Sequence, residues 1–474
     1  MSNSQSHHTR RVHRDRMAVG KETMSSLLIK NGTVILEDKT AQTDILTEDG
    51  KITKIAKKIA TTADQVVDAQ GKFVLPGVVD AHAHVGDPNF AQREDFTSGT
   101  QAAAAGGVTT IMDMVLKTPV DSPEAARERI DRGTRQGIVD FSLHAGMMNS
   151  ANLANIETLT QLGICSFKAF MCAPYFIDKA TLQALMKGTA QFDAITNVHA
   201  EDEELSQQLM VELKRARRMD PIAHNESKPN AVEEKAIRDA IDIARAARSK
   251  LHISHMSTSE GVRLIAAAKK QKVDVTAETC PHYLSLTKAD VLKLGPYLKM
   301  SPPLKTEADI LALWRGLADG TVDMITSEHA PGEADEKEIG WENIWDAWGG
   351  VPSIETMLPI VLSEGVNKKR ITLEKAVKVL SENPAKRFGV YPRKGHIAVG
   401  ADADFVIVDL AMEKKVKASD LHYKVGWTPY EGWILKGWPT TSIVRGQVVA
   451  KEGQIIAKEG LAQFVPMKMR ASRR

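Results

Sequence analysis

Eight short apolar runs, each separated from the next by a helical stretch, constrain this chain more than any other feature. They fall at residues 78–85, 107–113, 139–146, 163–170, 194–199, 250–255, 273–279 and 321–327. Helical patterns lie between them, for example at 123–135, 178–188, 230–247 and 259–270, and continue through 353–365 and 372–388. Strand-helix alternation repeated eight times is the signature of an α/β chain folded as a (β/α)8 TIM barrel. Short strands flank the repeat: Leu27–Ile29, Thr33–Leu36, Asp44–Thr47 and Ile52–Ile55 before it, then His396–Ile397, Phe405–Val408, Thr441–Arg445 and Gln447–Val449 after it. Asn31-Gly32 and Asp49-Gly50 punctuate the early strands as hairpin turns. The simplest packing joins both flanks into one small β-sandwich domain of residues 26–76 and 390–460, beside a barrel of residues 77–389. Residues 1–25 read as a disordered basic tail, and residues 461–474 as a basic C-terminal tail that is solvated or reaches a neighbouring subunit.

In such a barrel the chemistry sits at the C-terminal ends of the strands. The apolar run Phe73-Val74-Leu75-Pro76-Gly77-Val78-Val79 reads as one buried strand, and it leads into Asp80-Ala81-His82-Ala83-His84. Residues two apart on a strand point to the same side, so His82 and His84 can aim two imidazoles at one metal ion. The plain alternative is a pair of hydrogen-bonded core histidines. Lys168 closes the fourth strand, His199 the fifth, His255 the sixth and the carboxylate Glu328 the eighth. Four histidines, a lysine and a carboxylate at one rim argue for a metal centre. Burial of Lys168 in an apolar strand disfavours its ammonium form. A neutral amine there can add carbon dioxide and become a carbamate, whose two oxygens can bridge two cations. A buried lysine paired with an acid is the simpler alternative.

Composition excludes several classes. Lys plus Arg is 62 and Asp plus Glu is 60, so nothing points to nucleic acid. No apolar run approaches the ~20 residues of a membrane helix. Three cysteines, Cys165, Cys172 and Cys280, fit reduced thiols in a cytosol, not a disulfide framework. His252 is expected to face helices or solvent, and Trp341, Trp345 and Trp348 to share one helical face in a core or subunit interface.

The motifs resemble the cyclic amidohydrolases, the dihydroorotase, allantoinase and hydantoinase branch of the amidohydrolase superfamily. The likeness spans about residues 26–460. It rests on His82/His84, Phe167-Lys168-Ala169-Phe170, His199-Ala200-Glu201, His255-Met256-Ser257, Glu278-Thr279-Cys280-Pro281-His282-Tyr283, Ser301-Pro302-Pro303-Leu304-Lys305 and Asn383-Pro384-Ala385-Lys386. The resemblance implies two divalent metal ions, usually zinc. His82, His84, N6-carboxylated Lys168 and Glu328 would hold one, and His199, His255 and the same carbamate the other. It further implies Glu328 as the catalytic base, a cytoplasmic homotetramer, and ring opening of a cyclic ureide or imide. His282, Ser301 and Tyr175 become candidate substrate contacts.

The chain departs from this pattern where its relatives differ. The family places aspartate before the histidine of strand eight, and this chain has Glu328. Dihydroorotases carry arginine where this chain has Gly86, asparagine at Ser301 and histidine at Gly332. Hydantoinases carry tyrosine at Ala173, with Tyr175 two residues on, and often glutamine at His282. Asp87-Pro88-Asn89 and Phe96-Thr97-Ser98-Gly99-Thr100 are similar to allantoinase or dihydroorotase. The expected substrate is a neutral cyclic ureide, allantoin or a hydantoin, with dihydroorotate behind. A third reading is a non-catalytic, dihydropyrimidinase-like scaffold of the collapsin response mediator type, which would lack metal ligands.

Overall fold

A computed structural model describes residues 26–114 and 116–469. The basic N-terminal segment and the last five residues lie outside the described residues. Eight parallel strands follow one another in chain order: Val78–Ala83, Val108–Asp113, Asp140–Leu143, Ser166–Phe170, Ile195–His199, Lys250–Ile253, Val275–Thr279 and Met324–Ile325. They hydrogen-bond as a block of three and a block of five. Single parallel bridges link the blocks, Ala145 to Phe167 on one side and Ala83 to His329 on the other. Side chains on these strands are almost all buried, as expected of strands covered on both faces. Amphipathic helices such as Asn230–Ala247 supply one cover, burying Val232, Ala236, Ile237, Ala240, Ile241 and Ala244 at helical spacing.

The apolar run expected as one strand is two. Phe73–Pro76 pairs antiparallel with Phe405–Val408, and Val78–Ala83 pairs parallel with the second strand of the eight. The break falls at Gly77, where an added Cβ would sit 2.0 Å from the Thr109 hydroxyl oxygen. Only glycine lets the backbone cross from one sheet to the next at that distance.

Both chain ends build the second part of the molecule. A seven-stranded sheet mixes Thr40–Gln42, Thr33–Ile35 and Phe73–Pro76 with Phe405–Lys415, Ile434–Val444, Gln447–Lys451 and Gln454–Ile455. A four-stranded sheet holds Lys51–Ala56, Asp44–Glu48, Leu27–Lys30 and Gln65–Asp68. Leu27, Ile29, Ile45 and Ile52 from the smaller sheet share one apolar core with Val34, Val74, Phe405, Ile407 and Ile443 from the larger. His396–Ile397 forms no strand.

Residues 461–469, expected as part of a tail, are docked. Val465 donates its backbone N–H to Phe141, Met467 to Gly163 and Lys468 to Gly389, while Ala462, Val465 and Met467 are buried. The small and apolar side chains interspersed among the basic ones explain this docking.

Candidate metal centre and cavity

Four candidate histidines and Glu328 meet at the C-terminal ends of the strands, His82 and His199 within the last two residues and His84, His255 and Glu328 just beyond. The His82 and His84 ring centroids are 5.3 Å apart, His82 and His255 5.4 Å, and His199 and His255 4.5 Å. For His82, His84 and His199 an outer hydrogen bond fixes which nitrogen faces inward. His82 Nδ1 donates to Glu278 and His84 Nδ1 to the Met114 carbonyl, so both present Nε2. Those Nε2 atoms lie 2.6 and 3.4 Å from the two Glu328 oxygens. His199 Nε2 donates to Glu201 at 2.7 Å, leaving Nδ1 as its lone pair.

Two acceptors cannot rest 2.6 Å apart without a cation between them. His82 Nε2 and Glu328 Oε2 are buried with no hydrogen-bond geometry to any partner, and His255 Nδ1 is likewise unsatisfied. Such orphaned buried atoms are rare and costly. A proton can fill the first gap. Burial works against the imidazolium, yet the Glu328 and Glu278 carboxylates outweigh it and lift His82 to about 9. A metal ion fills the gap without that proton, and His82, His84 and Glu328 offer three donor atoms within 4.8 Å of one another.

Backbone strain marks the same residues. His255 has φ of 34° and Glu328 has φ of 47°, both in the left-handed region. Such positions cost on the order of 1–3 kcal/mol for residues other than glycine, and cluster at functional sites. Surrounding bonds hold them: the His255 N–H donates to Glu278 at 3.1 Å, and the Glu328 N–H to the His82 carbonyl at 2.9 Å.

Lys168 lies beneath the histidines, 1% exposed. Its Nζ donates to the Ser254 hydroxyl at 2.6 Å, and Ser254 in turn donates to Asn197. No carboxylate among the described residues reaches it within ion-pair distance, which removes the simpler alternative of an acid-paired lysine. Burial draws its ammonium down to about 8, against the opposing pull of Glu328 and Glu278. The unprotonated amine is therefore accessible near neutral pH.

Glu278 ties the site together. It is fully buried and accepts from His82 Nδ1, from His252 Nε2 at 3.0 Å and from the His255 backbone. Burial alone would raise its carboxyl, but His82 and His252 hold it well below the usual carboxylate range. His252 is thus no solvent histidine; it is fully buried, with Nδ1 accepting from the Thr276 hydroxyl at 2.8 Å. The available signal was a carboxylate inside an otherwise uncharged buried strand. Glu278→Gln is expected to weaken metal retention about 10–100-fold, measured by chelator competition, because a partner orienting a ligating histidine carries that much affinity. Unchanged retention would remove this role from Glu278.

Above the histidines opens a cavity of about 450 Å³, within the size range of small-molecule sites. His199, Glu328, His282, Ser301, Tyr175 and Lys228 are among its walls. His282 is fully buried with neither ring nitrogen hydrogen-bonded, and burial holds it neutral, down to about 3. A neutral imidazole facing a cavity can donate or accept for a ligand. Lys228 bonds Glu201 at 2.6 Å and Ser301 at 3.2 Å. Trp345 and Trp348 also line the cavity, not one helical face, because the chain turns after the short 3₁₀ helix Ile339–Trp341. Trp341 is half exposed, outside the cavity. Cys172 is buried beside Glu201, and Cys165 and Cys280 are buried thiols. His329 bonds Glu94 and the Ser353 backbone, away from Glu328.

The chain is also similar to known proteins over most of its length. The model of the "Amidohydrolase family" matches residues 73–449. An L-hydantoinase of Paenarthrobacter aurescens is 36% identical over 450 residues, spanning 93% of this chain and 98% of the relative. An allantoinase of Rubrobacter xylanophilus is 36% identical over 434 residues, spanning 90% and 94%. Among solved structures, an L-hydantoinase (dihydropyrimidinase) from Arthrobacter aurescens superimposes with a TM-score of 0.91 at 35% identity, covering 94% of this chain and 100% of that one.

Proposed function

The chain belongs to the amidohydrolase family, and from that premise we propose that it hydrolyses the ring amide bond of a neutral cyclic ureide, allantoin or a hydantoin. The observation that carries this reading is the set of buried, unpartnered donor atoms on His82, Glu328 and His255 beneath a cavity lined by His282 and Ser301. Imidazole and carboxylate donors suit divalent cations, zinc among them, and the grouping of His82, His84 and Glu328 supports a first ion. His82, His84, Glu328 and a carboxylated Lys168 would hold one, and His199, His255 and the same carbamate the other. When bound, such a pair lowers the pKa of a water towards neutrality and polarises the target carbonyl.

The chain's own residues do the rest. The Lys168 amine adds carbon dioxide and releases a proton. Glu328 takes the proton from the attacking water and returns it to the leaving ring nitrogen. His282, Ser301 and Tyr175 contact the ring from the cavity wall. The fold reading that goes with this is a closed barrel of residues 77–389 beside a β-sandwich of 26–76 and 390–460. It is supported by the two inter-block bridges and the shared core. A homotetramer in the cytoplasm completes the proposal. No helix among the described residues is long and apolar enough to cross a membrane.

Dihydroorotate fits less well. An added Cβ at Gly86 would lie 2.5 Å from an Asp113 carboxylate oxygen and 2.6 Å from the Phe96 ring, and at Gly332 2.3 Å from Trp348. The two positions where dihydroorotases carry arginine and histidine are thus closed to side chains. A substrate carboxylate in a closed site needs a paired cation. The scaffold reading needs missing ligands, whereas His82, His84, Lys168, His199, His255 and Glu328 all stand in this chain. Assaying allantoin, hydantoin, dihydrouracil and dihydroorotate side by side tests the proposal. Turnover of allantoin or hydantoin is expected; turnover of dihydroorotate alone would overturn it.

A further inference from the structure

We propose that Arg93 is a specificity-determining residue that donates a hydrogen bond to a neutral carbonyl oxygen on the substrate's ring substituent, as the ureido group of allantoin carries. The inference rests on the neutral-ureide reading and adds the substituent to it.

Arg93 lies between the 3₁₀ helix Pro88–Phe90 and the helix Phe96–Ala105 and is 8% exposed. Its guanidinium carbon sits 3.8 Å from the Phe90 ring centre and 3.7 Å from that of Trp348, so two aromatic faces hold it. Trp348 is itself pinned by its indole N–H, which donates to the Ala330 carbonyl at 3.1 Å. Arg93 Nε donates to Glu336 at 2.8 Å and Nη2 donates to the other oxygen of that carboxylate. Nη1 alone is buried with no partner. Leaving a buried guanidinium donor unmet is costly.

Arg93 borders a small cavity of about 20 Å³, together with His84, Leu116, Ala330 and Trp348. The last three of these also bound the large cavity, so the small one adjoins the candidate substrate site beside His84. About 20 Å³ admits one oxygen atom or one water. Charge decides which ligand oxygen suits it. Glu336 already neutralises Arg93, so a carboxylate would bring an unpaired charge into a closed site. A carbonyl oxygen brings none and satisfies Nη1. The bidentate pair and the aromatic stack fix the guanidinium plane, so the donor is preorganised.

The test is the ratio of kcat/KM for allantoin to that for hydantoin, which lacks the ureido group, in the metal-loaded parent, Arg93→Met and Arg93→Lys. A site built to bond a substrate group discriminates strongly against its absence. Both variants are expected to lower the ratio at least tenfold, since methionine has no donor and lysine, which can pair with Glu336, has a single nitrogen that cannot also occupy the Nη1 position. A merely structural role would depress both substrates alike, and an unchanged ratio overturns the proposal. Calorimetric affinities for the same two compounds carry the same ratio. If neither compound is turned over, the hydrolase reading falls, while an affinity ratio that still drops in the variants supports Arg93. A crystal structure with bound allantoin and only a water at Nη1 would also overturn the proposal.

Discussion

Glu328→Ala is expected to lower kcat by roughly a thousandfold or more, at the upper end of what a positioned proton-transfer group supplies. The reason is placement. The two Glu328 oxygens lie 2.6 and 3.4 Å from His82 and His84, at the floor of the cavity. No other carboxylate among the described residues reaches these two Nε2 atoms. Glu278 binds the far nitrogen of His82, and Glu201 the outer nitrogen of His199. Glu328→Asp retains turnover, within on the order of a hundredfold of the parent, since the acid withdraws by about one methylene. Aspartate also tolerates the left-handed backbone that Glu328 adopts at φ of 47°. Steady-state kinetics on metal-verified protein checks both outcomes. Parent-rate turnover by the alanine variant would remove Glu328 as the base.

Lys168→Met is expected to reduce bound metal from about two equivalents to fewer than one and to abolish hydrolysis. Methionine matches the lysine stem in the buried strand but cannot take up carbon dioxide. Methionine conserves the buried volume, so the Tm of the metal-free variant is expected to stay near that of the metal-free parent. Metal analysis and a melting curve separate loss of the site from loss of the fold. The intact mass of the parent, under conditions that preserve carbamates, should exceed the sequence mass by one carbon dioxide. A methionine variant that kept two metal ions and the parent rate would sink the carbamate reading.

The sequence by itself determined the eight strand positions and the residues at their ends. Strand burial is written as apolar runs, and polar groups at the ends of those runs stand out against them. His82, His84, Lys168, His199, His255 and Glu328 were therefore legible from position alone. Pairings across the fold were not. The run from Phe73 to Val79 carries one hydropathy but enters two sheets, because the contact that splits it at Gly77 comes from Thr109. Glu278 meets His82 from 196 positions away in the chain, and Arg93 meets Glu336 from 243 positions away. Neither spacing leaves a local periodicity to read. His252 was misplaced for the same reason: its partner lies on the next strand. Tertiary structure alone decided which nitrogen of each histidine faces inward, which buried donors stay unmet and where the cavity opens. Local side-chain pattern encodes burial, whereas hydrogen-bond partners and empty volume arise only when distant segments are brought to within a few ångströms.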